Sequence, residues 1–384
     1  MHYIRFCRPP VVEQGRSGHK TLKLVLTITT DLSDKFLCPH EPIQLSIIGA
    51  GAPPNPQSGP VPINLTPKNP PPTWRAGMRV LKVDVLLPPQ PIETVQVRPT
   101  SRQLTALITD DISSGTGTGE GLILPVFADL APGPTSHICF RSLRLPGGTA
   151  TLQVEEEMGE SMARHVWDGG LTTACFVANM ILGQTAAPSS NANTALPMLT
   201  NILQQNDGPL NIMELGCGVG ILGLGVACIL GVSSQATAEK STLLMTDLPD
   251  AEERTLANIA RSADQTACSV MYENLDWYDG KDGIFGPEVK SRAWDLVILS
   301  DCTYNDLLPI LVKTLSAVHD HSTQHSSPSN TKILLSTKPR HSDEREFFDL
   351  MSKDGWSIEE EVKLPLPVLY DEAQTVEVYL FSKS

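Results

Sequence analysis

Aromatic and basic residues are scarce in this sequence. Aromatics make up 5% of its 384 residues, and 29 Lys and Arg are outnumbered by 43 Asp and Glu, for a formal net charge of −14. Because an acidic chain repels phosphate backbones, we expect no nucleic-acid partner, whereas a basic protein is a compatible one. Hydrophobic residues make up 41% of the chain, which excludes disorder throughout its length.

Long apolar runs are also missing. The longest, residues 219–232, contains several glycines and is shorter than the ~20 residues that span a bilayer. The first ten residues, MHYIRFCRPP, lack the apolar segment of a signal peptide. We therefore expect no membrane association and a cytoplasmic protein, with the nucleus as a second compartment, and we expect a monomer.

Cysteine pairs with metal-binding spacing are absent. The eight cysteines include no C-x-x-C pair, and no Cys/His cluster has the spacing of a zinc site. Several lie within apolar stretches, as Cys228 does in GVACILG. We predict reduced, buried thiols and no metal site.

Proline is plentiful but unevenly distributed. Of the 31 prolines, 21 lie in residues 1–150, where they interrupt helices and sheets. Segments 21–32 and 78–88 are rich in β-branched residues and partly alternate, which is typical of strands. We predict a proline-rich, β-leaning N-terminal extension over 1–148 and a second domain over 149–384.

From residue 149 onward, strand and helix patterns alternate. Strands are predicted at 149–157, 211–216, 241–248, 266–275, 293–300 and 331–337, and helices at 164–183, 219–230, 249–263, 305–320 and 342–355. The helix at 305–320 is expected to break at Pro309, before a polar spacer over 319–331. Two antiparallel strands end the chain. This alternation predicts an α/β fold with a mostly parallel sheet, whose ligands lie at the carboxyl ends of the strands.

A glycine loop joins the strand at 211–216 to the next helix. In Glu214-Leu-Gly216-Cys-Gly218-Val-Gly220, the glycines allow a tight turn and close approach of a ligand to the backbone. Ile221 stands where a pyrophosphate-binding G-x-G-x-x-G would have its last glycine. A carboxylate beside the turn suits a ligand with an ammonium group rather than a pyrophosphate.

Asp247 ends the next strand. An acidic residue at this position binds the two hydroxyls of a ribose in nucleotide-binding sheets. The alternative is an N-cap for the helix that begins near Pro249.

Five motifs in order resemble methyltransferase family 16, the seven-β-strand (non-SET) protein-lysine methyltransferases that use S-adenosylmethionine. They are VWDGG (166–170), ELGCGVG (214–220), TDLP (246–249), NLDW (274–277) and WDLVILSDCTYN (294–305). The resemblance covers about residues 149–384. It implies a Rossmann-like seven-stranded sheet with an antiparallel last strand, and longer relatives carry N-terminal extensions thought to select the substrate.

The resemblance also implies roles for individual residues. Glu214, Gly216 and Gly218 match the loop that holds the amino-acid part of the cofactor, and Asp247 matches the ribose ligand. Trp277 matches the tryptophan beside the adenine, and Trp167 matches the residue that closes the cofactor site. Either tryptophan could instead be a core aromatic.

The catalytic candidates are Asp301 and Tyr304, which match the family's [DE]-x-x-[YF] motif. A lysine attacks a methyl group only as the neutral amine, and its usual pKa is ~10.4. An apolar channel lowers that pKa, a carboxylate orients the arriving ammonium, and an aromatic ring attracts it. Alternatively, Asp301 caps the following helix and Tyr304 belongs to the core.

Other functions remain open at this point. A methyltransferase for a small molecule or another side-chain nitrogen would use the same cofactor residues, and so would a non-catalytic cofactor-binding scaffold. A nicotinamide-dependent dehydrogenase is the weakest alternative, because Ile221 replaces the third glycine of its motif. Arg340 matches a frequent arginine of the family or caps a helix, and His341 is a weaker candidate for a general base.

Overall fold

The chain divides into two compact units. The computed structural model describes residues 1–15, 18–51, 61–113, 121–130, 137–148, 150–159, 162–183, 195–204, 208–233, 241–266, 268–303, 307–325, 331–370 and 372–383. The first of the two units, here called the β unit, comprises Met1–Leu143, Glu155–Ser161 and Pro367–Ala373. The second, the α/β unit, comprises Arg144–Val154, Met162–Leu366 and Gln374–Ser384. Each unit therefore includes residues from both sides of the predicted boundary at 148/149.

The β unit is built mainly from short strands. They are β1 (His2–Phe6), β2 (Val11–Gln14), β3 (Lys20–Thr29), β4 (Ile43–Ala50), β5 (Pro62–Asn64), β6 (Thr73–Trp74), β7 (Leu81–Leu86), β8 (Thr94–Pro99), β9 (Ile123–Leu124), β10 (Val126–Asp129) and β11 (Ile138–Arg144). A short helix, α1, covers Thr109–Ser113. The predicted β-rich character of this region is confirmed.

Alternating side chains give the β unit its core. Along β3, Leu22, Leu24, Leu26 and Ile28 are each at most 1% exposed, as expected for one face of a strand with a period of two. β3 pairs antiparallel with β1, β2 and β7, whereas β4, β8 and β10 belong to a second sheet. Apolar residues of both sheets form one hydrophobic cluster.

The α/β unit follows the predicted alternation. The sequence predicted β12 (Thr151–Glu157) as the first strand of this alternation, but β12 lies in the second sheet of the β unit, in the order β12-β11-β10-β8-β4-β5. The strands of the α/β unit are β13 (Asn211–Leu215), β14 (Thr242–Asp247), β15 (Ser269–Asn274), β16 (Leu296–Ser300), β17 (Lys332–Thr337), β18 (Trp356–Pro365) and β19 (Thr375–Lys383). Its helices are α2 (Asp168–Leu182), α3 (Pro197–Gln204), α4 (Ile221–Ser233), α5 (Pro249–Ser262), α6 (Trp277–Gly280), α7 (Pro287–Lys290), α8 (Leu308–His325) and α9 (Glu346–Lys353).

The main sheet of this unit has the strand order β15-β14-β13-β16-β17-β19-β18. The first five strands in this order are parallel, and β19 is antiparallel to both its neighbours. The inner parallel strands β13, β14 and β16 are buried along nearly their whole length, as is typical of parallel strands in an α/β sheet that is covered on both faces. The predicted Rossmann-like α/β fold is confirmed here.

Three sequence-based helix assignments were wrong or incomplete. Pro309 does not break α8, because it is the second residue of the helix, where a missing N–H costs no intrahelical bond. α8 also continues to His325, through part of the expected spacer. α2 begins at Asp168 rather than near 164, and α3 was not anticipated. None of the helices in the described ranges is long and apolar enough to cross a membrane.

Candidate functional site

The predicted site residues gather at the carboxyl ends of the parallel strands. β13 lies between β14 and β16, and the chain continues from β13 toward one edge of the sheet and later returns to form β16 on the other side. The carboxyl ends of strands at such a change of direction are the usual ligand position in these sheets. We call the following residues the strand-end site: Glu214, Gly216, Gly218, Asp247, Trp277, Asp301 and Cys302.

The glycine loop has a backbone that only glycine adopts readily. Gly216, Gly218 and Gly220 have φ values of +65°, +54° and +80°, in the left-handed region. A Cβ atom on Gly216 would lie 2.7 Å from Cys302 Sγ and 3.2 Å from Trp277 Cζ2. The loop therefore leaves bare backbone next to these two side chains.

Glu214 is buried without a hydrogen-bond partner. It is 1% exposed, and neither Oε1 nor Oε2 has a partner among the described residues. Burial raises the pKa of this carboxyl well above its usual value; the backbone N–H of Gly223 opposes the rise, and the charge of Asp247 adds to it. An unpaired buried carboxylate is costly, so the site is suited to a ligand that brings a cationic donor.

Asp247 holds the glycine loop to the neighbouring strand. Its Oδ2 accepts a hydrogen bond from Gly218 N–H and its Oδ1 one from Leu248 N–H, both at 2.7 Å. Burial raises its pKa, although these two N–H groups oppose the shift. The alternative helix-cap role is wrong, because the N-cap of α5 is Leu248, without a side-chain cap bond.

The two predicted tryptophans are half-buried. Trp277 begins α6 and packs against the hydrophobic core of the α/β unit while its ring borders Gly216. Trp167 precedes α2, and its Nε1 donates to Met162 O at 3.0 Å. Their predicted contacts with a cofactor stay predictions.

Asp301 follows β16 in a conformation that is unusual for a non-glycine residue. Its φ is +51°, a strained value that proteins retain chiefly at functional sites. Oδ2 accepts from Gly169 N–H at 2.7 Å, and Oδ1 accepts from Lys338 N–H at 3.1 Å. Asp301 thus binds the first turn of α2, earlier in the chain, and the segment after β17.

The Cys302 thiol is influenced by the charges of three acidic side chains. Burial raises the pKa of its thiol well above the usual value, and Asp247, Asp301 and Glu214 raise it further. Its Sγ lies 3.5 Å from Leu215 O and 3.2 Å from Ser300 O. The strand-end site therefore contains three acidic side chains and no basic one, which favours cationic ligands. Tyr304, the second catalytic candidate, lies outside the described residues.

The remaining two candidates stand at the edge of the site. Arg340 places its guanidinium 5.5 Å from the Trp167 ring centroid and 4.0 Å from Asp301 Oδ1. His341 caps the turn over 342–345, where its side chain accepts from Asp343 N–H. That contact assigns His341 a structural role and gives no support to a general base.

Sequence reasoning missed a buried ion pair beside the site. Lys338 Nζ donates to Asp168 Oδ2 at 2.7 Å, and the two side chains are 8% and 0% exposed. The sequence indicated only where the two residues stand: Asp168 lies within VWDGG, and Lys338 directly follows the strand predicted at 331–337. It did not indicate that they pair.

These residues fit S-adenosylmethionine. The orphaned carboxylate of Glu214 is an acceptor for the ammonium of its amino-acid part. A Cβ at Gly216 or Gly218 would meet Cys302 Sγ at 2.7 Å or Ala163 O at 3.2 Å, so the loop carries no side chains there and its backbone stays bare toward a ligand. The convergence of carboxylates around Cys302 suits a positively charged sulfonium. No group of three or more potential ligands forms a metal site among the described residues.

Comparisons with known proteins agree with this fit. A sequence profile described as lysine methyltransferase matches residues 148–354, more than half of the chain. The UPF0665 family protein C23C4.06c of Schizosaccharomyces pombe is 25% identical over 59% of this chain and 55% of its own length. The protein-lysine N-methyltransferase rrg1 of the same yeast is 32% identical over 25% of this chain and 29% of its own length.

Further similarities are more distant. The protein N-terminal and lysine N-methyltransferase EFM7 of Cryptococcus neoformans is 30% identical over 38% of this chain and 48% of its own. Magnesium protoporphyrin IX methyltransferase of Synechocystis, solved with bound SAM, is 13% identical over 57% of this chain and 99% of that one, with a TM-score of 0.32.

The chain spans between about a quarter and about half of the length of these curated relatives. The profile match, the order of the five motifs and the strand-end site nevertheless agree with one another. The chain belongs to the lysine methyltransferase family.

Proposed function

We propose that this enzyme transfers a methyl group to the side-chain amine of a lysine in a protein substrate. The observation that carries the proposal is Asp301, a strained and 8% exposed carboxylate at the end of β16. Its neighbour Cys302 lies against the glycine loop, so an amine that reaches Asp301 is beside the cofactor site. S-adenosylmethionine, when bound, supplies a methyl group on a positively charged sulfur.

Asp301 has the capacity to orient an incoming lysine. A carboxylate has about four acceptor positions, and the two backbone N–H groups of Gly169 and Lys338 each donate to one of its oxygens and hold it in place. Fixed in this way, the carboxylate orients a lysine ammonium without having to reorganise. Tyr304, as the second predicted residue of this motif, is proposed to attract the same cation.

The lysine must lose its proton before it attacks. Its usual pKa is ~10.4, and removal from water lowers that value. In this proposal, Arg340 contributes as well, because a guanidinium 4.0 Å from Asp301 disfavours a second positive charge nearby. Alignment of the neutral amine with the methyl group then supplies much of the rate.

The name of the relative EFM7 favours a second candidate, the α-amine of a protein N-terminus. Such an amine has a usual pKa of ~7.7–8.0, so it reaches the neutral form more easily than lysine does. A small-molecule or other nitrogen substrate would use the same cofactor residues. The charge of −14 supports a basic protein substrate in the cytoplasm or nucleus.

The test is a transfer assay with radiolabelled S-adenosylmethionine and lysate from cells that lack this enzyme. We expect a labelled protein band, with the methyl group mapped to a lysine side chain by mass spectrometry. Label at an N-terminal amine would support the second candidate. Label in small molecules alone would contradict both.

Two glycine variants separate the cofactor requirement from general damage. Gly216→Arg fills the space beside Cys302 and Trp277 and should abolish labelling. Gly283→Arg has a similar φ of +71° but no atom within 4 Å of its Cβ position, so labelling should persist. For a basic substrate we also expect the rate to fall as salt screens the attraction.

A further inference from the structure

The buried ion pair between Asp168 and Lys338 is the strongest feature that the proposed chemistry leaves unused. Asp168 is the first residue of α2, and Lys338 follows β17 directly. Their side chains meet at 2.7 Å and are 0% and 8% exposed. The pair therefore joins two segments that are 170 residues apart in the chain.

The same two segments hold Asp301 from opposite sides. Gly169, next to Asp168, donates its N–H to Asp301 Oδ2, and Lys338 donates its own N–H to Oδ1. A Cβ on Gly169 would lie 2.5 Å from that Oδ2, so the approach is as close as the backbone permits. Any shift between the segments must move the Asp301 carboxylate.

A second set of contacts links these segments to Trp167. Arg340, two residues after Lys338, places its guanidinium 5.5 Å from the Trp167 ring centroid. Ser336 Oγ donates to Gly169 O at 3.0 Å. The positions of Trp167 and Asp301 thus both depend on the contact between the start of α2 and the segment after β17, and the ion pair is part of that contact.

Stability alone gives little reason for such a pair. Replacing a buried ion pair by well-packed neutral side chains is often neutral or stabilising, whereas the paired charges specify one arrangement of the two segments. We propose that Asp168 and Lys338 are positioning residues for methyl transfer, because they fix Asp301 beside the reacting amine and Trp167 over the cofactor site. This inference rests on the proposed function.

The decisive variant removes both charges and keeps the approximate shape: Asp168→Asn with Lys338→Met. The matched control, Asp354→Asn with Lys383→Met, removes an ion pair of 2.9 Å near the opposite end of β17. Three quantities are compared: kcat for methyl transfer, Kd for S-adenosylhomocysteine by calorimetry, and hydrogen exchange of residues 162–171 with S-adenosylhomocysteine bound.

We expect kcat of the Asp168/Lys338 variant to fall about 100-fold, the usual cost of a displacement of about 1 Å. Its Kd should rise less than tenfold, since Glu214 and Asp247 are untouched, and residues 162–171 should exchange faster than in the wild type. The control should match the wild type in all three. Lys338→Arg keeps the cation and should retain more of the rate than Lys338→Met.

The proposal would be overturned if the Asp168→Asn/Lys338→Met variant had the kcat of the wild type and its residues 162–171 exchanged hydrogen at the wild-type rate. It would also be overturned by a rate for Lys338→Arg no higher than that of Lys338→Met. If the enzyme methylates no lysine, the proposed function fails, but the exchange measurement still decides whether the pair positions residues 162–171.

Discussion

Glu156 of the β unit and Glu214 of the α/β unit are both almost completely buried, but in opposite circumstances. In the β unit, Glu156 is 1% exposed, and its Oε1 accepts from Arg141 Nε at 2.8 Å and from Arg141 Nη2. Its Oε2 lies 3.5 Å from Arg5 Nη1. In the α/β unit, Glu214 is equally buried, yet neither of its oxygens has a partner among the described residues.

The difference separates a buried charge that stabilises the fold from one that we propose binds a ligand. Arg141 also donates to Ile4 O and Pro125 O, at 2.8 and 2.7 Å, so the Glu156 network is satisfied by the chain itself. Glu214 instead destabilises the unliganded protein, because an unsatisfied buried group costs free energy. Proteins retain such groups where a ligand completes them.

The largest effect is expected from breaking the satisfied pair. Arg141→Met would leave Glu156 buried without its main partner, which lowers the free energy of unfolding by about 3–5 kcal/mol. Chemical denaturation of the full chain measures this change. In the exposed pair Lys23–Glu13, Glu13→Gln should cost under ~1 kcal/mol, and an equal loss in both variants would contradict the comparison.

The reverse is expected for Glu214→Gln. Loss of a charge-assisted contact should weaken S-adenosylhomocysteine binding about 10- to 100-fold. The unliganded protein should nevertheless become more stable at pH 7, by about 1 kcal/mol or more, because the amide, although it is also unpaired, has no charged form whose burial is penalised. Calorimetry gives the affinity and thermal denaturation gives the stability. A variant that binds as well as the wild type, or that unfolds more easily, would count against an unsatisfied ligand-binding carboxylate.

The glycine loop allows a smaller and more local test. Gly216→Ala places a Cβ 2.7 Å from Cys302 Sγ at a φ of +65°, whereas Gly283→Ala at +71° meets nothing within 4 Å. Both should lose about 1–2 kcal/mol from left-handed strain, and Gly216→Ala should lose more. Only Gly216→Ala should weaken S-adenosylhomocysteine binding, and similar affinities for the two variants would place the loop outside the cofactor site.

The smallest expected effect concerns pH. The pKa of Glu214 is raised in the unliganded protein by burial, and a bound ammonium should lower it. Binding therefore releases a proton, and the affinity for S-adenosylhomocysteine should increase with pH through the range in which Glu214 titrates. The raised pKa also means that Glu214 destabilises the fold increasingly as pH rises above the ordinary glutamate value. In Glu214→Gln, both trends should be weaker, and the part that remains is attributed to Asp247, whose pKa burial also raises.

Periodicity made most of the α/β unit predictable. Apolar runs with strand or helix period, such as 241–248 and 249–263, correspond to β14 and α5 within two residues. The predicted break at Pro309 was wrong because the effect of a proline depends on its position within the helix. The C-terminal end of α8 at His325 was also missed, because the sequence offered no capping signal for it. The discontinuous make-up of the β unit depends on contacts distant in sequence, which no local pattern encodes.

The site was predictable residue by residue but not in its connections. The motifs located Glu214, Asp247 and Asp301, and their place after neighbouring strands brings them together. The pairing of Asp168 with Lys338, and the binding of Asp301 by Gly169, join residues more than 130 positions apart. Such pairings follow from the packing of α2 against the sheet and have no sequence signature of their own.

Glu214 is proposed to accept the ammonium group of the cofactor. The direct test compares calorimetric affinities of wild type and Glu214→Gln for S-adenosylhomocysteine and for its analogue without the α-amino group. We expect the wild type to prefer S-adenosylhomocysteine by about 10-fold or more, and this preference to disappear in Glu214→Gln. An equal preference in both proteins would show that Glu214 does not bind the ammonium.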